Sequence, residues 1–493
     1  MAVTVNLRKM IHRKPLEMCA LLQAGNTAAG GFIVSDKSNM IPSHDIAYYV
    51  GGVSAIWNYN SDNNAWVQLP NSGITGVFGA GSCGEFRAIS APGGAITMTA
   101  SAGTTTSITT TLNLTRMLTG CTVRVVSGPG SGFIGTVKYN TTGNNSIITF
   151  NETSSVAFTS ASQYQIFAGS LWFFNAGTTA VGFSVYDRAT NTWTARSVTG
   201  LPTLWGTEGQ LVSTPGFSSN RGLGFVNGVA TAGGATTLTT NKTFLLNQWA
   251  NFQVRIMSGT GAGQIRTISS NTAGANGVLT VSAAWGTNPD ATSNYRIEGN
   301  DDHFYLFGNA AIAVYKYTIS TNTWATLAPA VARSAVPGAG MTADWIDGIN
   351  APGWTDETYT NFLTNGNLVR QNGRYIYSLR GAGNSRMDVF DVAAVTWVNN
   401  IDYGNQLETF NAGSCSVDLD GAIYIQKEAT GRIFKFDVAQ NVLDPWVVNP
   451  GTQGAAVAGD KMFMTTFTEG PTTINYLYTL GHTRNELYRW IVI

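Results

Sequence analysis

Apolar and polar residues alternate with a period of two in many short segments of this chain. Segments 171–174, 304–308, 374–377 and 422–425 are rich in aromatic and aliphatic residues, and turns rich in Gly, Asn and Asp separate such segments. Alternation at this period predicts β-strands. The hydrophobic pattern therefore predicts an all-β protein.

These strands recur in a unit that ends near a tryptophan. Each unit has an alternating strand, a turn, a second strand ending near Asp, a polar turn, and a short strand that starts at Trp. Six copies contain Trp66, Trp193, Trp324, Trp397, Trp446 and Trp490. The spacings between successive tryptophans are 127, 131, 73, 49 and 44 residues. The longer spacings indicate inserted segments.

The unit resembles the kelch repeat of β-propellers. The resemblance rests on a glycine-containing first strand, an aromatic second strand, and the Asn-Thr-Trp turns at Asn191 and Asn322. Kelch units of about 50 residues form one four-stranded blade each. The resemblance implies a six-bladed propeller, with a small inserted domain before blades two and three. A larger loop, 335–365, is expected before blade four.

The two long insertions repeat each other at an offset of 131 residues. Segment 122–132 aligns with segment 253–263, and both contain a strand followed by a Gly-x-Gly-x-Gly turn. A fixed period marks a repeat architecture. The sequence thus predicts two homologous small β-modules, 93–168 and 233–299.

The predicted organisation is an extended N-terminal arm followed by a propeller that is interrupted twice. The expected boundaries are 1–44 for the arm, 45–92 for the first blade, 93–168 for the first module, 169–232 for more of the propeller, 233–299 for the second module and 300–493 for the remaining blades. The arm is too apolar at Phe32 to be only a disordered tail. We expect it to dock on a neighbouring subunit or on its own propeller. The arm also contains basic residues that either are exposed to solvent as a chain end or contact nucleic acid: Arg8, Lys9, Arg13 and Lys14.

The second module also resembles a small β-module of structural proteins in tailed bacteriophages. The resemblance is carried by residues 254–268, 279–281 and Trp285, within a span of 64 residues at 234–297. It is weaker in the first module. It implies a virion component and says nothing about chemistry. Propellers with inserted β-domains are also similar to the nozzle proteins of short-tailed phages, an analogy of architecture alone.

Charge is sparse and balanced. Charged residues make up 11% of the chain, with 28 basic and 28 acidic residues, against about 25% in ordinary globular proteins. There is no basic footprint for wrapping DNA, so only passive contact with passing DNA is expected. A neutral surface favours association, and the predicted partners are copies of the chain and other virion proteins.

Sequence signatures of catalysis and of cofactors are missing. The histidines do not stand at metal-ligand spacing: His12, His44, His303 and His482. There is no Gly-x-Ser-x-Gly elbow and no CxxC pair. Cysteines occur singly, at Cys19, Cys83, Cys121 and Cys415. Cys83 and Cys415 share an Ala-Gly-Ser-Cys segment, which predicts buried first-strand positions in two blades, with a disulfide as the alternative. Segment 418–421 fits a calcium loop or a β-turn. We expect no enzyme, no cofactor and no metal.

Targeting signals are also missing. No run of eighteen apolar residues is present, and the apolar segment 18–22 is too short for a signal-peptide core. The expected site of assembly is the host cytoplasm, and the expected location is the virion.

One loop gathers carboxylates and aromatic rings. Its members are Asp344, Trp345, Asp347, Trp354, Asp356, Glu357 and Tyr359. Sugar-binding and glycosidase sites use carboxylates beside aromatic rings. The alternative is that these tryptophans pack on the propeller rim or on the next subunit. A sialidase-like site would also need an arginine cluster in its cleft, but Arg374, Arg380 and Arg386 fall near one blade.

The predicted function is that of a structural, non-enzymatic virion protein of a tailed bacteriophage. A tail-associated position (nozzle, neck or appendage) is expected, with assembly into a ring through the arm and the insertions. One alternative is a carbohydrate-binding or carbohydrate-degrading propeller of a tail fibre, which would hold a host surface glycan at loop 342–359. Another is a capsid-surface protein.

Overall fold

The computed structural model describes most of the chain. The residues outside the description are 1–16, 19–31, 36–44, 52–54, 61–63, 71–73, 75–80, 177–179, 206–208, 214–225, 245, 300–301, 309–310, 334–340, 344–374, 380–385, 393, 403–409, 411–414, 420–421, 428–429, 431, 438–441, 449–460, 470–471, 481–486 and 493. The described residues form β-strands, numbered β1 to β38 along the chain, and one 3₁₀ turn, Pro92–Gly94. They contain no α-helix.

Six sheets of four antiparallel strands form the blades, and the first three occupy the N-terminal two thirds of the chain. Blade 1 contains β2 (Phe32–Ser35), β3 (Asp45–Gly51), β4 (Ala55–Asn60) and β5 (Ala65–Gln68). Blade 2 contains β6 (Cys83–Arg87), β14 (Ser170–Asn175), β15 (Gly182–Asp187) and β16 (Thr192–Arg196). Blade 3 contains β17 (Gln210–Val212), β25 (His303–Gly308), β26 (Ala311–Thr318) and β27 (Thr323–Leu327).

The remaining three blades follow without large domains between them. Blade 4 contains β28 (Met341–Ala343), β29 (Tyr375–Leu379), β30 (Arg386–Asp391) and β31 (Thr396–Asp402). Blade 5 contains β32 (Cys415–Leu419), β33 (Ala422–Gln426), β34 (Arg432–Asp437) and β35 (Val442–Val448). Blade 6 contains β36 (Lys461–Glu469), β37 (Thr472–Leu480), β38 (Leu487–Val492) and β1 (Glu17–Met18).

The first strands of the six blades contact one another in a closed circle. In order around the ring they are β2, β6, β17, β28, β32 and β36, and β36 contacts β2 again. The blades therefore form a six-bladed propeller, which confirms the all-β, six-bladed prediction. Aromatic side chains fill the space between blades, as where Trp172 of blade 2 lies 5.1 Å from Phe304 of blade 3 between ring centroids.

Blade 6 is built from both ends of the chain. Strand β1 pairs with β38, with Glu17 opposite Arg489 and Met18 opposite Tyr488. Strand β2 pairs with β3, and Ile33 on β2 is buried. These two segments of the predicted arm 1–44 are therefore blade strands that dock on their own propeller, the second of the two alternatives given for the arm. The physical reason is that the innermost position of blade 1 needs an apolar strand, which the run beginning at Phe32 supplies.

Both modules lie inside blades rather than before them, which corrects the expected order. The first lies between β6 and β14 of blade 2, and the second between β17 and β25 of blade 3. Loop 344–374 occupies the same place in blade 4, between β28 and β29. Every blade repeats one antiparallel strand order outward from the axis, so these connections all leave the same face of the ring. We call it the decorated face.

Each module is a bent sheet of seven strands. The first module contains β7 (Met98–Thr99), β8 (Ala102–Gly103), β9 (Ser107–Thr109), β10 (Thr122–Ser127), β11 (Ile134–Asn140), β12 (Ile147–Phe150) and β13 (Gln163–Phe167). The second contains β18 (Val226–Val229), β19 (Ala232–Gly233), β20 (Thr237–Thr239), β21 (Gln253–Ser258), β22 (Ile265–Asn271), β23 (Val278–Val281) and β24 (Asn294–Glu298). The strand order in the first is β7-β13-β10-β11-β12-β9-β8, and the second repeats it.

The two ends of each sheet meet, so each module is a closed barrel. In the first, the amide of Ala100 donates to Ser162 and the amide of Ser101 donates to Thr109, both at 2.9 Å. These bonds join β7 and β8 into one strand that pairs at both sides. The second module closes in the same way, and bulges in β11 and β22 bend both sheets. Closure leaves no open sheet edge in the described part of either barrel.

The two Asn-Thr-Trp turns and the related Asn-Ala-Trp turn at Asn64 have a physical cause. Asn64, Asn191 and Asn322 adopt positive φ angles of 50°, 56° and 54°, a region that asparagine tolerates better than most residues. Each Oδ1 atom also accepts a hydrogen bond from the tyrosine hydroxyl five residues earlier, at 2.7, 2.6 and 2.8 Å. The motif is therefore a tight hairpin turn held by its own side chain.

Replacing Asn191 by Ala should destabilise blade 2. The substitution removes both the tolerance of positive φ and the acceptor for Tyr186, with an expected loss of about 2 kcal/mol in the free energy of unfolding. Chemical denaturation measures it. Asn191→Gly is the matched control, since it keeps the backbone freedom and should lose less. An alanine variant as stable as the glycine variant would contradict this account of the turn.

Candidate functional site on the decorated face

The two strands that flank the loop singled out in the sequence, β28 and β29, are described, but the site residues of the loop are not. Asp344, Trp345, Asp347, Trp354, Asp356, Glu357 and Tyr359 all lie outside the described residues. The structure corrects one end of the loop, since Thr342 belongs to strand β28. The chain resumes in blade 4 at β29. The described part of the face therefore consists of the two barrels and their supports.

The barrels pack against each other through equivalent faces. Alternate residues of β10 and β13 point into the first barrel's own core, and the others point away from it. The outward set is Thr122, Arg124, Gln165 and Phe167, and its equivalents 131 positions later are Gln253, Arg255, Arg296 and Glu298. At this contact the Ser131 hydroxyl of the first barrel donates to the Gly263 carbonyl of the second, at 3.1 Å.

A buried charge cluster joins the two barrels. Arg124 Nη2 lies 2.6 Å from Glu298 Oε1, and Arg255 Nε lies 3.0 Å from the same oxygen. Arg124 and Arg255 occupy equivalent positions, yet they share one carboxylate, because the first barrel has Phe167 where the second has Glu298. Phe167 is buried in the propeller core instead. All three charged side chains are at most 4% exposed.

The electrostatics of this contact depend on Glu298. A third guanidinium, Arg296, lies beside it, and burial lowers the pKa of Arg296, with Glu298 opposing the shift and Arg124 adding to it. Buried cations without a counter-charge are strongly unfavourable. Glu298 therefore holds together a contact that would otherwise repel. The sequence pattern did not single out this cluster, although two arginines at the repeat offset in charge-poor modules were a usable signal.

The barrels come too close at one point for a side chain. Gly263 has a φ of 85°, and a Cβ atom there would lie 2.3 Å from Ser131 Oγ. The glycine-rich turn predicted from the sequence thus sits in the contact between barrels. It serves close approach, not the binding of a nucleotide.

Arg196 fastens the first barrel's linker to two blades. Its Nε atom donates to the Tyr317 hydroxyl at 2.9 Å, Nη2 to the Ile319 carbonyl at 3.2 Å, and Nη1 to the Gly93 carbonyl at 3.4 Å. One side chain of blade 2 therefore binds blade 3 and the connection into the module at once.

Each barrel also contacts the ring directly. The Thr115 amide of the first barrel donates to the Ala189 carbonyl in blade 2 at 3.1 Å. Asn251 of the second barrel donates to the Val392 carbonyl in blade 4 at 3.4 Å. Together with the buried charges, these bonds hold the barrels at a fixed orientation on the propeller.

The described residues offer no metal site. They contain no group of three or more His, Cys, Asp or Glu residues placed to hold an ion. Burial, with Lys316 and Arg87 nearby, lowers the pKa of His303 to about 3, so this imidazole is neutral in the fold. His12, His44 and His482 lie outside the described residues, as does Gly421 of the calcium candidate.

Cys83 and Cys121 are buried, and Cys83 lies in the first strand of blade 2 as the strand-position interpretation expected. Cys19 lies outside the described residues. Cys415 lies in the first strand of blade 5, the place that Cys83 has in blade 2. No helix in the described segments is long and apolar enough to cross a membrane.

Comparison with known proteins adds only distant similarities. No family model and no curated protein matches the chain. A solved structure of Aleuria aurantia lectin, described as having a six-bladed β-propeller fold and a novel fucose recognition mode, covers 95% of this chain and 97% of its own, at 9% identity and a TM-score of 0.36. The endosialidase of phage phi92 covers 97% and 69%, at 8% identity and a TM-score of 0.30. At these values neither similarity carries an inference about function.

Removing the charge of Glu298 should loosen the barrel pair. Glu298→Gln leaves two buried arginines without a counter-charge, and losing one partner of a buried ion pair costs about 3–5 kcal/mol. Hydrogen exchange of β10 and β21 should accelerate, and the thermal midpoint should fall. Glu152→Gln, at an exposed carboxylate of the first barrel, is the control. Equal behaviour of the two variants would show that the cluster does not hold the barrels together.

Proposed function

We propose that this chain is a structural, non-enzymatic protein of a tailed-bacteriophage virion. In this role the propeller is a rigid support that presents two barrels from one face. The observation that carries the proposal is the barrel pair itself: two homologous modules, inserted at equivalent places in adjacent blades and fixed to each other by Arg124, Arg255 and Glu298. The resemblance of segment 234–297 to phage structural modules supports the proposed virion assignment.

Fixed orientation is what an assembly subunit requires. A closed ring forms only when every subunit holds its contact surfaces at the same angle. Hinged modules would make that angle vary from subunit to subunit, whereas the buried charges and the Arg196 contacts keep the angle fixed. Because the barrels lack open edges, their contacts with other proteins must use side-chain faces rather than added strands. A tail-associated position, as nozzle, neck or appendage, is the finer form of the proposal, with other virion proteins as partners and assembly in the host cytoplasm.

The mass of the purified chain in solution tests the assembly. We expect oligomers, seen by sedimentation and as rings by electron microscopy. Deleting residues 1–16 leaves β1 and β2 in place. It tests whether the deleted residues contact neighbouring copies of the chain in the oligomer. Deleting 1–44 would remove both strands and unfold blades 1 and 6. A full-length chain that is monomeric at micromolar concentration would overturn the proposed ring.

A second function, binding of host surface glycans, is favoured by one observation. Strands β28 and β29 bring both ends of loop 344–374 to the decorated face, and the second barrel touches the same blade at Val392. The carboxylates and tryptophans of the loop lie outside the described residues, so they enter this proposal through the sequence pattern. Glycan-array binding that is lost in Trp354→Ala but kept in Trp285→Phe would support it, especially if the chain is monomeric.

A further inference from the structure

The contact between the two barrels contains more positive than negative charge. Arg124 and Arg255 are both buried, and both donate to the same oxygen of Glu298. Arg296 adds a third guanidinium at the edge of the contact, where its Nε atom donates to Asn227 Oδ1 at 3.0 Å. Among these described side chains, three are cationic and one is anionic. Burial makes such an excess of one charge unfavourable unless another anion offsets it.

Arg255 also has hydrogen-bond donors that nothing in this contact uses. Its Nε atom donates to Glu298, whereas Nη1 and Nη2 are buried and have no hydrogen-bond partner in the described part of the chain. The side chain is 4% exposed, so bulk water does not satisfy these donors. The N–H groups of a guanidinium form a planar fork that matches two oxygens of an oxyanion. The unused side of Arg255 therefore suits a small oxyanion.

Glu298 has one unused acceptor beside these donors. Its Oε1 atom accepts from both arginines, but Oε2 is buried and, within the described residues, has no hydrogen-bond partner. A bond from Arg255 to Oε2 would satisfy one of the two unused donors and leave the charge excess unchanged. An ionised carboxylate only accepts hydrogen bonds. It therefore repels an oxyanion without a proton and binds one that carries a hydroxyl group, as phosphate does at neutral pH and sulfate does not.

We infer that the contact between the barrels binds one phosphate ion. Nη1 and Nη2 of Arg255 donate to two phosphate oxygens, and a phosphate hydroxyl donates to Oε2 of Glu298. The ion offsets the positive charge that a single carboxylate leaves. Because these donors are closed to bulk solvent, the ligand is a free ion and not a phosphate group of a nucleic acid. A phosphate here stabilises the barrel pair independently of any role in a virion.

Hydrogen exchange of the full chain tests the site. An ion that binds only the closed barrel pair slows exchange through opening of that pair in proportion to its concentration. At a phosphate concentration ten times the dissociation constant, exchange in β10 and β21 should slow by about tenfold, and exchange in β33 of blade 5 should not change. Titration calorimetry should give one phosphate per chain.

Sulfate is the control ion for this experiment, at the same concentration and ionic strength. It should give much less protection of β10 and β21, because it has no hydroxyl for Glu298. Both ions stabilise folded proteins in general by being excluded from protein surfaces. Equal protection by sulfate, equal protection of all blades, or no protection by phosphate would overturn the site.

Substitution of Arg255 locates the site. Arg255→Gln removes the fork and one positive charge while Arg124 still pairs with Glu298, so phosphate should no longer slow exchange in β10. Arg266→Gln is the matched control, because Arg266 belongs to the same barrel but lies over the Trp285 ring, 5.5 Å from its centroid. This control should keep the protection. Phosphate binding that is unchanged in Arg255→Gln would overturn the assignment.

Two further measurements separate the chemistry of the site from charge alone. Arg255→Lys keeps the charge without the planar fork, and its phosphate dissociation constant should rise by about tenfold. A short single-stranded oligonucleotide at equal phosphate concentration should give no protection of β10. Protection by the oligonucleotide as strong as that by phosphate would overturn a closed site for a free ion. If Arg255→Gln does not fold, the comparison of phosphate with sulfate on the unaltered chain still decides.

Discussion

Pairing of backbone groups at sheet edges is the constraint on which this structure depends. An all-β chain with many short strands exposes amide and carbonyl groups at every edge, and exposed edges invite aggregation. In the two inserted modules, closure removes that hazard. Each inserted sheet closes on itself through bonds such as Ala100 to Ser162, whereas in the propeller β1 covers the edge of β38 and becomes the outer strand of blade 6. Closed sheets cannot pair with each other strand to strand, so the barrels meet through side chains, and the few charged residues there become decisive.

The buried arginines show how few charges suffice. The repeat places Arg124 and Arg255 on faces that meet, and two like charges at a buried contact would separate the barrels. One of the divergences between the repeats, Glu298 where the first barrel has Phe167, converts that repulsion into attraction. The repeat therefore supplies equivalent faces, and this difference between them supplies the attraction that holds the barrels together.

Much of the ring could be predicted from the sequence, because residues such as Trp193, Trp324 and Asn191 mark the outer half of their blades by local turn chemistry. Three short strands could not be predicted. The inner strands β17 and β28 have three residues each and the outer strand β1 has two, too few for a period of two to show. The insertions were therefore placed before their blades, and the apolar run at Phe32 was assigned to an arm. The barrel contact was missed because it depends on which faces of two modules meet.

Charged residues make up 11% of the chain, yet Arg124, Arg255 and Glu298 meet in one buried contact between the barrels. Burial raises the free-energy cost of an unpaired charge. The position of these few charges, rather than their number, therefore decides whether the barrels attract or repel each other.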